Sequence, residues 1–556
     1  MDTQPPVVHA DLATEAPQRR IAWRAVLRRI VPWIGPVLVA GLYLWLAFSQ
    51  LPSHRYQINP DGVGYISVAR KYATGALGDA INAYWSPLYS WLIVPLLWLR
   101  IDPLLSAKLV GIGIGGATLA GMWRLMRHAR VQADVRTIAC AAAVPLVVEA
   151  VYAVTTSDLL VACTLLFYLG SMANPANTEN WARGAWIGLA GATAYLAKAY
   201  ALPFVAGHFA LVRGIELIFP GQRGERRRLI ASSLVTVVTM GLIVGAWGAL
   251  LVNKYGTFMF GSTGRYNLRI DAPNSPGQVM HWAGFLEPAD PLAISAWDDI
   301  SWHIDRLPAW DPLATAEDRE YLWKQVKRNF DQATAVLGRY TPVLYPILVI
   351  AGLVALSRAD VRPRRPGLIL AAGILLYPLG YLVMHIERRF LTPVVLMALI
   401  AGMYAVARAS RKGLMSGWWR RSLAAAVLGY TFVSFPLESL DRANGQGETV
   451  MRWARELEGV VPAGATVAST SNWGQSLYLA FYRDWRYYGE PQPRQRREDI
   501  LADLDRLGVE YLIAWRRRGW SGDWLERAGW KEVAREIDKP FLLYQKQPAP
   551  TPDQGE

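Results

Sequence analysis

Asp61, in the run Asn59-Pro60-Asp61-Gly62-Val63-Gly64-Tyr65, opens an amphipathic stretch that ends near Tyr72. A carboxylate so placed can accept a proton from a hydroxyl nucleophile, which is a poor nucleophile until a base stands beside it. The same residue type also suits a helix N-cap. Asp158, closing Thr155-Thr156-Ser157-Asp158, has the same two readings. Cations occur in two further short segments, Lys198 in Tyr195-Leu196-Ala197-Lys198-Ala199-Tyr200 and Arg388 with Arg389 in His385-Ile386-Glu387-Arg388-Arg389-Phe390. Each could hold an anion or simply snorkel from a helix end to the membrane interface, and Glu387 could neutralise one of the arginines. Tyr65, Trp85 and Tyr89 lie close to Asp61 in sequence, where they could contact a substrate or pack a helix. Trp282, Trp297, Trp302 and Trp310, set among Asp290, Asp298, Asp299, Asp305 and Asp311, could stack on sugars or form an interfacial belt.

These residues sit between long apolar runs. The chain of 556 residues is 53% hydrophobic and 18% charged, a balance that points to a bilayer rather than water as solvent. Its net charge of +14 comes from arginines clustered between apolar runs, so nucleic acid is not an expected partner, whereas membrane lipids are. Cys140 and Cys163 both fall in apolar segments and offer no disulfide framework. Twelve apolar stretches stand out: Val31 to Leu51, Ser86 to Leu99, Leu104 to Leu125, Val135 to Val154, Leu159 to Met172, Ala182 to Ala197, Ala201 to Ile218, Leu229 to Val252, Tyr340 to Leu356, Gly367 to Met384, Phe390 to Ala407 and Ser422 to Phe435.

Arginine decides which of them cross. If Ser86 to Leu99 spans, the turn bearing Arg124, Arg127, Arg130 and Arg136 falls opposite the basic N-terminus, against the positive-inside bias. Reading it as a juxtamembrane helix anchored by Trp85, Tyr89, Trp91 and Trp98 leaves about eleven spans. The fold class expected is therefore a polytopic α-helical membrane protein with a small external C-terminal α/β domain. Its divisions are a cytoplasmic tail at 1–30, a membrane domain at 31–436 with external loops at 52–103 and 253–339, an external domain at 437–547, and a disordered tail at 548–556. Asp61, Asp158, Lys198 and Arg388 then share the external face of what reads as a bacterial inner membrane. In the C-terminal domain, Thr466 to Ser469, Trp485 to Tyr488, Glu510 to Trp515 and Phe541 to Gln545 read as strands; Thr449 to Leu457, Glu498 to Arg506 and Asp523 to Ala528 read as helices.

The acidic residue after the first apolar run, the Pro87-Leu88-Tyr89 segment, the lysine-bearing turn at Lys198 and the late turn ending Leu391-Thr392-Pro393 occur in an order that resembles GT-C membrane glycosyltransferases. The likeness is to the protein O-mannosyltransferase and aminoarabinose transferase branch. The resemblance implies an inverting enzyme that moves a sugar from a polyprenyl-phosphate donor to a glycan, lipid or protein acceptor. It implies Asp61 as base and Arg388, Arg389 and Lys198 around the donor phosphate; Asp158, Tyr65, Trp85, Tyr89 and Glu387 are the candidate substrate contacts beside them. Where many relatives carry a second acid directly after the first, this chain has Gly62. No cofactor is firmly expected; a divalent metal shared by Asp61 and Asp158 would need more oxygen ligands than these loops supply. Two other readings are a flippase for a lipid-linked glycan and a catalytically silent envelope-assembly subunit. Flippases place ionisable groups near the bilayer midplane and often carry internal repeats, and no repeat is evident between the halves.

Overall fold

A computed structural model describes residues 15–219, 224–338, 365–442, 446–516, 522–533 and 539–547, with side chains outside 15–32, 178–179 and 435–446. The α-helices of ten residues or more are α1 (Glu15–His54), α2 (Pro60–Ala73), α3 (Pro87–Trp98), α4 (Pro103–His128), α5 (Ala133–Ala153), α6 (Asp158–Ala173), α7 (Gly184–Ala197), α8 (Ala201–Ile218), α9 (Glu225–Tyr255), α10 (Ala316–Gly338), α11 (Arg365–Leu376), α12 (Thr392–Arg411), α13 (Gly417–Arg442), α14 (Gln446–Glu456), α15 (Trp473–Arg483) and α16 (Arg497–Arg506).

The chain is a polytopic helical membrane protein. Among the described residues, seven helical segments are long and apolar enough to cross a bilayer, against the eleven expected. Four expected spans are not among the seven: Ser422 to Phe435, which lies within α13, and three others. The 16 residues of α6 and 14 of α7 rise only about 24 and 21 Å, short of a hydrocarbon core of roughly 30 Å. Tyr340 to Leu356 lies outside the described residues, as do the ends 1–14 and 548–556. α6 is apolar all round and every residue of it except Phe167 is buried, which makes it a central helix rather than a lipid-facing one. α3, at 12 residues, is too short to span and packs beside α2. Its aromatic residues divide: Trp91 and Trp98 are exposed, as interfacial anchors would be, but Trp85 and Tyr89 are buried in the protein.

Two basic turns meet at one end of the bundle, where Arg411 donates to the Arg130 carbonyl and Arg420 pairs with Asp134 at 2.7 Å. Beyond α14 comes a five-stranded sheet, β1 (Thr466–Ser469), β2 (Arg486–Tyr487), β3 (Tyr511–Trp515), β4 (Trp530–Val533) and β5 (Phe541–Lys546), in the order β2-β1-β3-β5-β4. β1 runs parallel to β2 and β3, whereas β5 is antiparallel to β3 and β4. β3 is buried on both faces, in keeping with its unbroken apolar run. The sheet is joined to the membrane part through the loop before α10. Leu286 N–H donates to the Tyr488 carbonyl at 2.7 Å, Tyr487 N–H donates to Ile294 at 2.7 Å, and Ser295 bridges Tyr487.

Candidate active site

α2 begins at Pro60, whose missing N–H costs nothing in a first turn. Asn59 is its N-cap residue by position, but the Asn59 Oδ1 accepts the Thr155 N–H at 2.9 Å instead of capping α2. Asp61 therefore sits inside the first turn, where the helix dipole favours a carboxylate. It is not the cap that its residue type allows. Its Oδ2 accepts from Arg389 Nη1 at 2.7 Å. One turn on, the Tyr65 hydroxyl is 2.8 Å from Ser157 Oγ and ties α2 to the 155–158 turn.

Asp158 is the first residue of α6, after the N-cap residue Ser157. Its Oδ1 accepts from Lys198 Nζ at 2.5 Å, its Oδ2 accepts from Thr156 Oγ1 at 2.7 Å, and Arg389 Nε stands 3.5 Å from Oδ2. Lys198 occupies the extended position that ends α7, where Ala199 N–H donates to Ser86 Oγ at 2.9 Å and holds the turn to α3. Its ammonium lies 4.3 Å from the centre of the Phe390 ring. Glu387 Oε2 is 2.8 Å from Arg389 Nε, so Arg389 faces three carboxylates while Lys198 shares one of them.

These groups line a cavity of about 600 Å³. One wall is aromatic: the rings of Tyr65, Tyr84 and Trp297 lie 4.9, 4.6 and 5.5 Å from that of Trp85, and Tyr266 lies 5.4 Å from Tyr84. Trp85 Nε1–H donates to the Trp297 carbonyl at 3.1 Å. Trp85 reaches α2 because residue 64 is glycine; a Cβ there would stand 2.6 Å from the indole. Gly62 is constrained as well, since a Cβ would stand 2.9 Å from the Thr155 Cβ. A second acid at that position has no room unless the 155–158 turn moves.

Burial pushes the Asp61 carboxyl above its ordinary range, and the Arg389 guanidinium only partly opposes this. The side chain retains 23% of its surface and lines the cavity.

The structure brings together Asp61, Asp158, Lys198, Glu387, Arg389, Tyr65 and Trp85. Two expected residues stand elsewhere. Arg388 turns from the cavity, 2.8 Å from Glu149, because consecutive residues of its short 3-10 turn project in different directions. It lines a smaller adjoining space of about 220 Å³ that also touches Asp158, Glu387 and Arg389. Tyr89 lies behind Tyr65 with its hydroxyl on the Ala107 carbonyl at 3.3 Å, so it packs the wall and does not line the cavity. Of the loop tryptophans only Trp297 reaches the cavity, and the nearby aspartates are engaged locally: Asp290 with Lys71 at 2.5 Å, Asp299 with Lys254 at 3.0 Å. Tyr266 and Tyr381 line the cavity without any motif in the sequence to single them out. Among the described residues no group of three or more His, Cys, Asp or Glu is placed to hold a metal ion.

No protein-family model matches the sequence, and no curated protein matches it. The fold does have relatives. ArnT from Cupriavidus metallidurans is similar both bound to undecaprenyl phosphate, at 13% identity and TM-score 0.55, and in its apo state, at 14% and 0.56; each covers 92% of this chain and 99% of that one. An oligosaccharyltransferase from Archaeoglobus fulgidus is similar over 85% of this chain and 69% of that one, at 10% identity and TM-score 0.53. The arabinofuranosyltransferase AftD from Mycobacteria covers 92% of this chain and 40% of its own, at 14% identity and TM-score 0.51. At these identities the likeness is one of fold, and the chain shares its fold with these proteins.

Proposed function

On this shared fold, we propose that the protein is an inverting GT-C glycosyltransferase that moves a sugar from a polyprenyl-phosphate donor to a hydroxyl acceptor at the external membrane face. The observation that carries the reading is Arg389, held between Asp61 and Asp158 beside Lys198 in a walled cavity. Undecaprenyl phosphate bound to ArnT supports the donor class. A transporter's midplane site commonly lies between repeated halves, and the sequence shows no such repeat.

In the proposed reaction the acceptor O–H gives its proton to Asp61 as its oxygen bonds to the anomeric carbon. The bond from that carbon to the phosphate oxygen breaks, and its electron pair leaves on the phosphate. Arg389 and Lys198 stabilise the charge that develops there, Arg389 through a fork of N–H donors and Lys198 as a point charge. Donor binding would draw Arg389 from Asp61 to the phosphate. Loss of that cation leaves desolvation unopposed and makes Asp61 a stronger base as the donor arrives. The aromatic wall of Tyr84, Trp85, Tyr266 and Trp297 offers ring faces to a sugar. The direct test is incubation of the purified protein with a panel of polyprenyl-phosphate sugars and candidate acceptors, with products read by mass spectrometry. A new glycosidic bond is expected with one donor; protein-dependent movement of a lipid-linked sugar across liposomes with no new bond would replace this reading with a flippase.

A further inference from the structure

At the membrane face opposite the catalytic cavity lies a second hollow, of about 850 Å³, between α1, α4 and α5. Its position follows from the two helices that flank it. α4 carries Lys108, which donates to Thr155 at 3.2 Å, near its catalytic end and Arg127 at the other; α5 starts by Arg136 and runs toward Thr155. The floor is made of small residues, Ala40, Gly116 and Ala120, which leave a slot between larger neighbours. The slot faces lipid: only 17% of the apolar window of α1 is buried in the protein, and Trp33, which lines the hollow, is 68% exposed.

Its end is cationic. Arg127 and Arg136 both line it, with the Arg136 guanidinium 4.7 Å from the centre of the Trp123 ring. Among the described residues neither arginine has an acidic partner, and the buried Arg136 Nε has no hydrogen-bond acceptor. Asp134, the nearest acid in sequence, is taken by Arg420 at 2.7 Å and approached by Arg421 at 3.6 Å. Arg127 is exposed and Arg136 half-buried with its Nε covered, and two like charges at the mouth of an apolar slot favour an anion with an apolar tail.

We propose that this hollow is a binding site for an anionic phospholipid of the bilayer, one acyl chain lying in the slot and the phosphate held by Arg127 and Arg136. Arginine pairs with phosphate oxygens bidentately, and the Trp123 ring lies within cation–π range of Arg136. The site is separate from the donor cavity and does not depend on the proposed reaction.

The test is native mass spectrometry of the full chain released from mixed micelles of phosphatidylglycerol and phosphatidylcholine with identical acyl chains. Phosphatidylglycerol is expected to be retained over phosphatidylcholine by at least about tenfold. Arg127→Gln with Arg136→Gln should remove that preference. Ala120→Trp, which fills the slot and leaves both charges, should remove retention of either lipid. Equal retention of the two lipids by the unaltered protein would overturn the proposal, as would undiminished phosphatidylglycerol on both variants. Retention of a polyprenyl phosphate in place of phosphatidylglycerol would overturn the phospholipid assignment.

Discussion

Asp61 and Arg389 are 328 positions apart and meet at 2.7 Å, so one cannot be changed without altering the electrostatics of the other. Arg389→Ala would leave Asp61, Asp158 and Glu387 facing one another, and we expect donor affinity to fall by roughly 10- to 100-fold, the value of a charge-assisted hydrogen bond; isothermal titration with the lipid donor measures this. Arg388→Ala should have a smaller effect on donor binding, since that side chain is directed to Glu149. A pH profile of transfer offers a second check. Because the Asp61 carboxyl is raised and the base must be ionised, the rate should fall with decreasing pH through a value above the ordinary carboxylate range of about 4. The turns carrying Asp61, Asp158, Lys198 and Arg389 were each legible in the sequence, since polar residues between apolar runs stand out. Their pairings were not, because contacts across hundreds of residues leave no local pattern. The aromatic wall was legible in part: Trp85 and Trp297 were candidates, Trp297 with nothing to set it apart from the other loop tryptophans, whereas Tyr84 and Tyr266 look like any other aromatic residue beside a membrane.

Elements hold these side chains in place through backbone contacts that hydropathy does not reveal. α10 turns a polar face inward: Gln325 donates to the Val383 and Met384 carbonyls at 3.1 and 2.6 Å, Asn329 to Leu382 and Met384 at 2.9 and 2.6 Å, and Gln332 to Ile386 at 3.0 Å. This ladder splints the strand of chain that delivers Glu387 and Arg389. Asn329→Leu would strip the Leu382 carbonyl of its Asn329 donor, while Met384 keeps Gln325, at a cost of about 1–3 kcal/mol. It should raise the donor KM more than it lowers kcat, which steady-state kinetics would resolve, although Asn329 is absent from the cavity wall. Gly64→Ala should press on Trp85 and lower stability by about 1–3 kcal/mol, seen as a fall in Tm in detergent. At this scale α3 was readable as a short surface helix from the arginine count, and β1 from the Pro462-Ala463-Gly464 turn that precedes it. β4 was missed because Lys531 and Glu532 break its apolar pattern, and α15 because its left-handed entry at Asn472 carries no cap signal. Apolar composition alone does not separate helices buried in the bundle, such as α6, from lipid-facing ones.

Over the whole molecule, the C-terminal sheet is part of the site's frame. Trp473 at the start of α15 lies 6.1 Å from Trp297, Tyr482 donates to the Tyr56 carbonyl at 2.9 Å, and Arg70 of α2 meets Asp484 at 2.6 Å. The last pair is largely exposed and contributes little by itself. Burial of Trp297, Trp473 and the bridged Ser295 contributes more. A chain ending after Arg442 should retain its membrane helices yet lose transfer, with faster hydrogen exchange over 279–307, and unchanged exchange there would show the loop to be held without the sheet. The measurement that bears most directly on the central claim is transfer by Asp61→Asn in reconstituted membranes alongside its donor affinity. The amide oxygen can still accept from Arg389, so the hydrogen bond is kept while the carboxylate's basicity and charge are lost. The account predicts near-normal donor binding with transfer reduced by at least about 100-fold; normal transfer would contradict it.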